Sequence, residues 1–546
     1  MESNDVAGTP KKRIDRLSVA VALVLLGTLL TFSIASPVST TNGLVAARVG
    51  SVKVLGFWFI LIVILCMVFN GFLAFSKYGT IRMGKEKPQY KTFSWVAMIF
   101  CAAMGTSILY WSAIEWAYYI QWPPFGLEAL GPEISELSVA YSFFHWGVPA
   151  WSVYAVGVIP LAYRYYMRKK DDLSLQVACE GAFGKRVFGP LGKVINVIFI
   201  FGILGGLVIS YGTGIPMLAN NLKNIVGTPE TFVVYALFVL LITATFASST
   251  YIGLEKGMQK ISRGTTYGSI LLCALFLILV SPLFIMENFV QSLGLMIQEF
   301  IPMSTYLDPI RKSNFPQDWT CFYWAWWIGL APWMWIFIAK ISRGRSIRAI
   351  VAIVTLAGSA GSFLFFGTIS SYGLGAYLRE AFDVVAIMAE QGANQAISEM
   401  VLSLPAGIAI LVIWLVVGFF LLVTTMDSAA YTLAAASTVG LRATDDPSKN
   451  LRLFWSIMLA ISPTALLYAG QYIEGGVPLG GLQATLILTA IPISFLIVAV
   501  MYSGIKWLKE DYGHRTKEEI AQEFLSDEVR ERLAQRREQG GEATSA

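Results

Sequence analysis

Two stretches of the 546-residue chain concentrate aromatic side chains within apolar sequence. One runs from Trp319 to Trp335 and contains six of the sixteen Trp residues, and the other contains Trp146, Trp151 and Tyr154. A quaternary ammonium ion has no N–H group to donate, so ring faces hold it through cation–π attraction of about 1–2 kcal/mol per desolvated contact. A primary amine, a sugar or a phosphate would instead require carboxylates, amides or Arg. These stretches predict a site for an onium cation, with ordinary core packing as the alternative.

Helical spacing places the rings of the longer stretch on one face. Aromatic or apolar residues at 319, 323, 326/327, 330 and 334 follow this spacing, and the stripe ends in Met334. A belt of aromatic residues at the membrane surface explains Trp319 near a helix end. It does not explain Trp326 and Trp327, which lie two turns deeper.

The shorter stretch needs a distortion before its rings can meet. Trp151 and Tyr154 share a face of an ideal helix, but Trp146 lies five positions before Trp151 and points elsewhere. Gly147 and Pro149 lie between the two Trp residues, and both residue types interrupt helices. We expect a break there that brings Trp146 towards the other rings.

Adjacent hydroxyls at Thr424 and Thr425 suggest a second kind of cation chemistry. Sodium needs oxygen ligands, and an apolar helix supplies few besides hydroxyls and the carbonyls that unwinding frees. Residues 102–107 are mostly small, which permits either close helix packing or an unwound backbone that lines a cavity. These features predict a sodium site, with hydrogen bonding of each Thr to its own helix as the alternative.

Two ionisable residues, Glu115 and Asp427, lie within apolar segments and are functional candidates on that ground. Glu115 is close enough to a predicted helix end to be a hydrated structural carboxylate. Asp427 is close enough to another helix end to pair with a basic loop.

The composition requires lipid as the main solvent. Hydrophobic residues make up 56% of the chain and charged residues 14%, whereas soluble proteins carry about 25% charged residues. The mean hydropathy is +0.62. A soluble enzyme, a nucleic-acid-binding module, a disordered protein and a secreted disulfide scaffold are thereby excluded. Only two His residues are present, which argues against a histidine metal centre, and no removable signal peptide is expected.

Twelve apolar segments are long enough to cross the hydrocarbon core, which takes about 20 helical residues. They predict an all-α integral membrane protein with twelve transmembrane helices, numbered 1 to 12 in chain order. The predicted helices lie near residues 18–36, 52–76, 93–120, 138–167, 188–221, 231–250, 265–286, 318–339, 349–372, 405–426, 453–470 and 480–505.

Basic residues alternate from loop to loop. The N-tail and every second loop carry Lys and Arg, whereas the third loop, Gln121 to Leu137, has no basic residue and three Glu residues. Basic loops stay on the cytoplasmic side of a membrane. This pattern predicts a multi-pass membrane protein with both termini in the cytoplasm.

Small or helix-breaking residues recur five helices apart. Residues 102–107 lie in helix 3, and Gly329 and Pro332 lie at comparable depth in helix 8, which runs in the opposite direction. This spacing predicts two inverted five-helix repeats, helices 3–7 and 8–12, preceded by two extra helices, with a discontinuous helix opening each repeat and a substrate site at the midplane. The predicted organisation is a cytoplasmic N-tail at 1–17, helices 1–2 at 18–92, the first repeat at 93–286, an outer amphipathic segment at 287–317, the second repeat at 318–506 and a charged cytoplasmic tail at 507–546.

Five motifs resemble those of the betaine/choline/carnitine transporters, and the resemblance covers about residues 20–506. The motifs are Trp-Ser-Ala-Ile-Glu-Trp at 111–116, Phe-His-Trp-Gly at 144–147, Gly-Leu-Glu-Lys-Gly at 253–257, Phe-Tyr-Trp-Ala-Trp-Trp at 322–327 and Ile-Ser-Arg-Gly-Arg at 341–345. The resemblance implies a secondary transporter of the inverted-repeat kind that assembles as a homotrimer.

The resemblance also implies a substrate site. An aromatic box around the substrate ammonium would consist of Trp146, Trp151, Tyr154 and Trp327. Tyr118 and Tyr323 match rings used in the carnitine-type branch, and Met334 matches a Met beside the substrate carboxylate. Trp319 and Trp326 match rings near an outer, transient site.

Sodium, by the same resemblance, would be bound by Thr424 and Thr425 together with the helix 3 carbonyls near Cys101 and Met104. The carnitine exchangers lack the second hydroxyl and carry an Arg that substitutes for sodium, where this chain has Gln259. A glycine-poor helix 3 and Met334 instead favour the exchangers. Both mechanisms therefore stay open.

We expect a secondary transporter that takes up betaine-like quaternary ammonium or sulfonium solutes by sodium symport, with sodium as the coupling ion and no cofactor. A sodium-independent carnitine or betaine antiporter is the alternative, and a betaine-sensing membrane protein is a third hypothesis from another class. We expect no enzyme active site and no nucleic-acid partner. Glycine betaine, choline, carnitine and dimethylsulfoniopropionate all fit an aromatic box.

Overall fold

The chain is almost entirely helical in the computed structural model, which describes residues 12–280, 282–442, 445–471 and 479–524. Within these ranges two short strands, Arg13–Ile14 and Thr438–Val439, pair antiparallel. The predicted all-α membrane fold is confirmed.

Ten helices of the described residues are long and apolar enough to cross a membrane, and a bent pair makes an eleventh span. The bent pair is helix 3, Thr92–Met104 and Ser107–Gln121, with an angle of 60° at its break. The ten correspond to helices 1, 2 and 5–12: Arg16–Ala35, Pro37–Phe75, Pro190–Val226, Phe232–Ile252, Lys256–Leu279, Pro316–Ile341, Ile347–Leu378, Gly407–Ala436, Lys449–Gly470 and Leu486–Tyr512.

Helix 4 is built from pieces that are each too short to span a membrane alone. They are Pro132–Trp146, Val148–Val156, Val158–Ala162 and the π-helical turn Tyr163–Met167. The total of twelve spans therefore stays a prediction, and the helix numbers are kept.

Several of the long helices contain local changes of geometry. Helix 5 consists of Pro190–Gly206 and Val208–Val226, and helix 12 begins at Leu479. Helices 7, 8 and 9 contain π-helical turns. Helix 7 consists of Leu254–Met258 and Gln259–Leu279, and helix 8 of Pro316–Thr320 and Cys321–Ile341. Helix 9 consists of Ile347–Ala352, Ile353–Ala357, Gly358–Phe365, Phe366–Ser370 and Ser371–Leu378.

Short helices connect the spans. The predicted outer amphipathic segment contains the helices Pro282–Gln298 and Phe300–Thr305, and Val384–Gln391 and Ala393–Leu402 are two further short helices. The predicted charged tail forms a helix at Lys517–Glu523, and its part after residue 524 lies outside the described residues. The remaining short helices are Lys77–Thr80, Leu175–Ala178, Glu180–Phe183 and Gly184–Phe188.

Helix 3 breaks at Gly105, which adopts φ 56° and ψ −165°, a conformation that residues with a Cβ rarely reach. A Cβ at this position would lie 3.2 Å from Thr425 Oγ1 of helix 10. The segment before the break ends at Met104, so the carbonyls of its last turn have no intrahelical partner. The predicted interruption of helix 3 is confirmed.

Helix 8 is continuous, contrary to the prediction of a second discontinuous helix. Its α-helical part runs through Gly329 and Pro332, and every residue from Cys321 to Ile341 is buried. A Cβ on Gly329 would lie 2.8 Å from Leu486 Cδ1 of helix 12, so this glycine permits close helix packing. The prediction of a broken helix 8 is wrong, whereas the two repeats and the domain boundaries stay predictions.

Contacts among loops place both described chain ends on one face of the protein. Lys12 Nζ lies 3.0 Å from Asp445 Oδ2 in the tenth loop. In the second loop, Lys77 Nζ donates to the carbonyls of Gly513 and Arg515, both at 2.8 Å. The end of helix 4 joins these two pairs, because the Tyr165 hydroxyl donates to the Arg442 carbonyl of the tenth loop and Arg168 forms an ion pair with Asp511 near the start of the tail. The N-tail, the second and tenth loops and the start of the C-terminal tail therefore share this face, which is called the basic face here.

Asp15 fastens helix 1 to helix 5 at the basic face. It caps helix 1 by accepting from the Ser18 backbone N–H, and its Oδ1 lies 2.7 Å from Lys193 Nζ. Burial raises the pKa of the Asp15 carboxyl, but the hydrogen bonds from Lys193 and Ser18 outweigh burial and hold that pKa below its usual value. The ionised carboxylate therefore stabilises this junction.

Candidate substrate and ion sites

A break in helix 4 sets the direction of its first aromatic ring. Helix Pro132–Trp146 ends at Gly147, which has φ −97° and ψ −146°, and helix Val148–Val156 begins directly after it. A Cβ at Gly147 would lie 2.3 Å from the Phe143 carbonyl oxygen, so only glycine fits this turn. The turn changes the direction of Trp146 relative to Trp151, as the spacing of the two residues required.

Four rings from helices 4 and 8 meet around Trp327. The centroid of the Trp327 ring lies 5.6 Å from that of Trp146, 6.2 Å from that of Trp151 and 4.8 Å from that of Tyr154. The planes of Trp146 and Trp327 are inclined by 87°, and those of Trp151 and Tyr154 by 90°. The exposed fraction of each of the four residues is 4% or less. This cluster is called the aromatic box.

A second group of rings lies nearer the start of helix 8. Trp319 contacts Tyr118 and Tyr119, with centroid distances of 5.3 and 5.0 Å, and Trp111 at 5.9 Å. Tyr118 also stacks on Trp122 at 6.0 Å. The structure therefore places Tyr118 beside Trp319, in a ring group distinct from the aromatic box.

Trp326 packs beside the aromatic box. Its ring lies 5.7 Å from Trp146 and 5.6 Å from Phe322. Tyr323 connects the two regions, since its ring lies 5.9 Å from Trp326 and 6.4 Å from Trp319. Trp319 and Trp326, the two residues expected at one outer site, thus share Tyr323 as a neighbour but otherwise contact different rings.

Met334 is buried and lies seven residues after Trp327 on helix 8. Seven residues advance an α-helix by about 10 Å along its axis. Met334 is therefore on the same helix face as the box ring but two turns further along the helix.

Glu115 connects helices 3, 4 and 8. Its carboxylate accepts hydrogen bonds from the Tyr119 hydroxyl at 2.8 Å, from Trp146 Nε1 at 2.9 Å and from the Tyr323 hydroxyl. The exposed fraction of Glu115 is 0%. The expectation that Glu115 is a hydrated carboxylate is therefore wrong. His145 continues this network, with Nδ1 2.7 Å from the Tyr119 hydroxyl and Nε2 3.0 Å from Thr320 Oγ1.

Sequence reasoning missed this network, although the Phe-His-Trp-Gly motif contained its signal. A His next to a Trp at a glycine break is an unusual polar residue in an apolar helix. Its partners Tyr119 and Thr320 come from helices 3 and 8, so their proximity follows only from the tertiary structure.

Two hydroxyls of helix 10 meet the end of the first segment of helix 3. Thr424 Oγ1 and Thr425 Oγ1 donate to the Cys101 carbonyl at 3.3 and 3.1 Å. They also lie 2.9 and 3.1 Å from the Leu421 carbonyl of their own helix. Each Thr hydroxyl is therefore within hydrogen-bond distance of a carbonyl of helix 3 and of a carbonyl of its own helix. These hydroxyls, with the backbone from Cys101 to Met104, are called the hydroxyl site.

Asp427 lies one turn beyond the hydroxyl site. It is buried, it accepts hydrogen bonds from the Ser249 and Thr250 hydroxyls of helix 6, and the Arg452 charge of helix 11 acts on it. The basic residue near Asp427 is thus Arg452, which is buried in helix 11. Gln259, at the position where the exchangers carry Arg, begins the α-helical part of helix 7.

Comparison with known proteins agrees with this architecture. The family model described as betaine/carnitine/choline family transporter matches residues 17–513. The chain is 36% identical over 470 residues to a carnitine transporter of Acinetobacter baumannii, covering 86% of this chain and 84% of that one. It is 32% identical over 501 residues to the glycine betaine transporter OpuD of Bacillus subtilis, covering 91% and 93%.

A third relative is the uncharacterized transporter YeaV of Escherichia coli, which is 36% identical over 451 residues, covering 83% of this chain and 92% of that one. These relatives are transporters, and the family match spans nearly the whole chain. The chain is therefore a multi-pass membrane protein that belongs to the betaine/carnitine/choline family of transporters.

Proposed function

We propose that this transporter takes up betaine-like quaternary ammonium or sulfonium solutes across the bacterial inner membrane, with the basic face and both termini in the cytoplasm. The observation that carries the proposal is the aromatic box, in which the buried rings of Trp146, Trp151 and Tyr154 pack around Trp327 with planes inclined to it by 87°, 43° and 67°. A trimethylammonium head is held by several ring faces, and these four rings are the ones that can supply them. The rings must separate to admit that head, because their centroids are 4.8–6.2 Å apart.

The names of the relatives support the substrate class. One is a carnitine transporter and another a glycine betaine transporter. Both names denote zwitterions with a trimethylammonium head. We expect the same class here, with Met334 and the rings of Tyr118, Trp319 and Trp326 on the path to or from the box.

Sodium symport is the mechanism that the hydroxyl site favours. Thr424, Thr425 and the Cys101 carbonyl form a group of oxygen atoms beside the unwound backbone at Gly105. We propose that sodium binds there, with the Met104 carbonyl as a further ligand. Gln259 carries no charge and so does not repel the ion.

Antiport without sodium is the second candidate, because Met334 and the glycine-poor segment at 102–107 resemble the carnitine exchangers. The two mechanisms differ in what drives uptake. A symporter responds to a sodium gradient, whereas an antiporter responds to solute loaded on the other side.

Uptake into proteoliposomes tests both proposals. Labelled glycine betaine, choline, carnitine and dimethylsulfoniopropionate are supplied in turn, under an imposed sodium gradient, under a matched potassium gradient, and after internal loading with unlabelled solute. We expect accumulation of at least one solute that depends on sodium. Uptake that ignores sodium but requires internal solute would establish antiport, and no uptake of any of the four would reject the substrate class.

We further propose a homotrimer, which rests on the resemblance to the family. Native mass spectrometry in mild detergent measures the assembly mass directly. A trimer mass supports the proposal, and a monomer at every protein concentration tested contradicts it.

A further inference from the structure

Glu115 is a buried carboxylate that pairs with no basic side chain in the part of the chain that the structure describes. Among the described residues, its hydrogen-bond donors are the phenols of Tyr119 and Tyr323 and the indole of Trp146, with Ser142 as a further neutral neighbour. A carboxylate in an apolar interior without a counter-ion is costly unless hydrogen bonds compensate it. Such residues within membrane spans mark functional sites.

The directions of these hydrogen bonds fit an ionised carboxylate. An indole N–H can only donate, and each phenol has one proton to give. Trp146 and Tyr323 donate to Oε2, and Tyr119 donates to Oε1, so both carboxylate oxygens act as acceptors. A protonated carboxyl group could donate its own O–H only to a phenol oxygen, because the indole N–H cannot accept.

The more distant members of the network are compatible with an ionised Glu115. When Tyr119 gives its proton to Glu115, its oxygen accepts from the Nδ1-protonated tautomer of His145, whose Nδ1 lies 2.7 Å away. His145 is then neutral when its Nε2 accepts from the Thr320 hydroxyl at 3.0 Å. Each donor in this chain polarises the next, which strengthens the bonds that end on Glu115.

Two of the donors are rings in or beside the aromatic box. Trp146 is a member of the aromatic box, and Tyr323 lies 5.7 Å from it, centroid to centroid. A carboxylate bonded to the indole N–H places negative charge at the ring edge, which makes the ring face more attractive to a cation. Its field also acts directly on a charge at the box, since the site is buried and screening is weak there.

We infer that Glu115 provides the negative charge that selects a cationic head in the aromatic box, and that it acts through Trp146 and Tyr323. The inference rests on the proposed function, because it assumes that a betaine-like solute binds in the box. Glu115 is thus a positioning residue with an electrostatic role, and the bound onium ion becomes the counter-ion that the protein does not supply.

An isosteric pair of ligands separates charge from shape. Glycine betaine carries a trimethylammonium head, and 3,3-dimethylbutanoate carries a tert-butyl group of the same shape without charge. Dissociation constants of both are measured on the purified full-length protein by competition against labelled glycine betaine. The readout is the ratio of the two constants, which reports how strongly the site prefers the charged head.

Glu115→Gln removes the charge and keeps the size of the side chain. We expect it to lower the preference for glycine betaine over 3,3-dimethylbutanoate at least about tenfold, because a buried charge close to the box is lost. Glu115→Asp keeps the charge and should stay within about threefold of the wild-type ratio. Glu128→Gln, in the exposed third loop, is the matched control and should leave the ratio unchanged.

The outcomes are distinct. If Glu115→Gln weakens both ligands equally, the residue only holds the rings in place and the inference is wrong. If Glu115→Gln does not fold, the Glu115→Asp ratio decides, and a tenfold loss of preference there overturns the inference. If the wild-type protein binds no betaine-like solute at all, the proposed function fails instead.

Discussion

The aromatic box and the hydroxyl site present opposite ligand chemistry to a cation. The box consists of four aromatic rings, and the Glu115 carboxylate accepts a hydrogen bond from the indole N–H of one of them, Trp146. The hydroxyl site consists of oxygens from Thr424, Thr425 and the Cys101 carbonyl. An onium ion is held by π faces, whereas sodium requires oxygens that replace its water. If the proposed function holds, this difference keeps the onium ion and sodium in separate places although their charges are equal.

The two regions nevertheless share a structural element. Phe100 stacks on the box ring Trp151 with centroids 6.2 Å apart, and the next residue, Cys101, offers its carbonyl to the hydroxyl site. Ser362 makes a second connection, because its hydroxyl accepts from Trp151 Nε1 at 3.3 Å and lies 3.8 Å from the Met104 sulfur. The end of the first segment of helix 3 therefore contacts both regions, and substitutions can test whether each region is selective for its own cation.

The largest effect is expected for Trp327→Leu. This change removes the ring on which the box converges, and cation–π contacts are worth about 1–2 kcal/mol or more when desolvated. The apparent substrate constant should rise at least about tenfold, while the sodium dependence of uptake is unchanged. Concentration series of both substrate and sodium in proteoliposomes measure the two constants.

Trp414→Leu is the matched control for that substitution. Both Trp residues are buried, and neither indole N–H has a hydrogen-bond partner among the described residues. Trp414 lies in helix 10, away from the box, and contacts Phe276. Trp335 is less suitable because its indole donates to the Val153 carbonyl at 2.8 Å. Equal losses in Trp327→Leu and Trp414→Leu would show a general packing defect and contradict the box.

The reverse selectivity is expected for Thr425→Val, which replaces a hydroxyl by a methyl group of similar volume. Loss of one oxygen ligand should raise the apparent sodium constant about tenfold, since a contact to an ion is worth roughly 1.5–3 kcal/mol. The affinity for glycine betaine at saturating sodium should change little. Thr432→Val is the control, because Thr432 is buried two turns further along helix 10 and its hydroxyl has no partner among the described residues. A sodium constant that is the same in both variants would reject the hydroxyl site.

Gly105→Ala tests the backbone that the two regions share. Alanine at φ 56° and ψ −165° costs about 1–3 kcal/mol of strain, and its Cβ would lie 3.2 Å from Thr425 Oγ1. We expect a lower melting temperature and a sodium constant raised several-fold, with a smaller change for the substrate. Gly71→Ala in helix 2 is the control, since no atom lies within 4 Å of its Cβ. If the two variants unfold at the same temperature, a side chain at position 105 does not strain the backbone of the break.

The sequence predicts those features that depend on neighbouring residues. The break at Gly105 was predicted from the small residues at 102–107. The break at Gly147 was predicted because Trp146 lies five positions before Trp151 and would point elsewhere on an ideal helix. The break in helix 8 was predicted from the same kind of signal and is wrong, because Gly329 packs against Leu486, a residue 157 positions later in the chain. A local pattern does not separate a glycine needed for unwinding from one needed for close packing.

Contacts between distant residues explain the other differences. Glu115 is recognisable as an intramembrane acid, but its donor Tyr323 is 208 positions away, so its donors and its burial could not be inferred from the spacing. In the same way, only the tertiary structure places Tyr118 beside Trp319 and Trp326 beside Trp146.

The smallest effect is expected for Ser362→Ala, which removes the acceptor of the Trp151 indole N–H. The ring stays packed between Phe100 and Tyr154, so only its orientation loosens, and a neutral hydrogen bond contributes about 1 kcal/mol. The substrate constant should therefore rise about three- to fivefold. Ser359→Ala on the same helix is the control, because the Ser359 hydroxyl donates to the Thr355 carbonyl of its own helix. If Ser362→Ala instead shifts the sodium constant more than the substrate constant, the contact of Ser362 with Met104 dominates its role, and the two regions are coupled more tightly than their separate chemistry suggests.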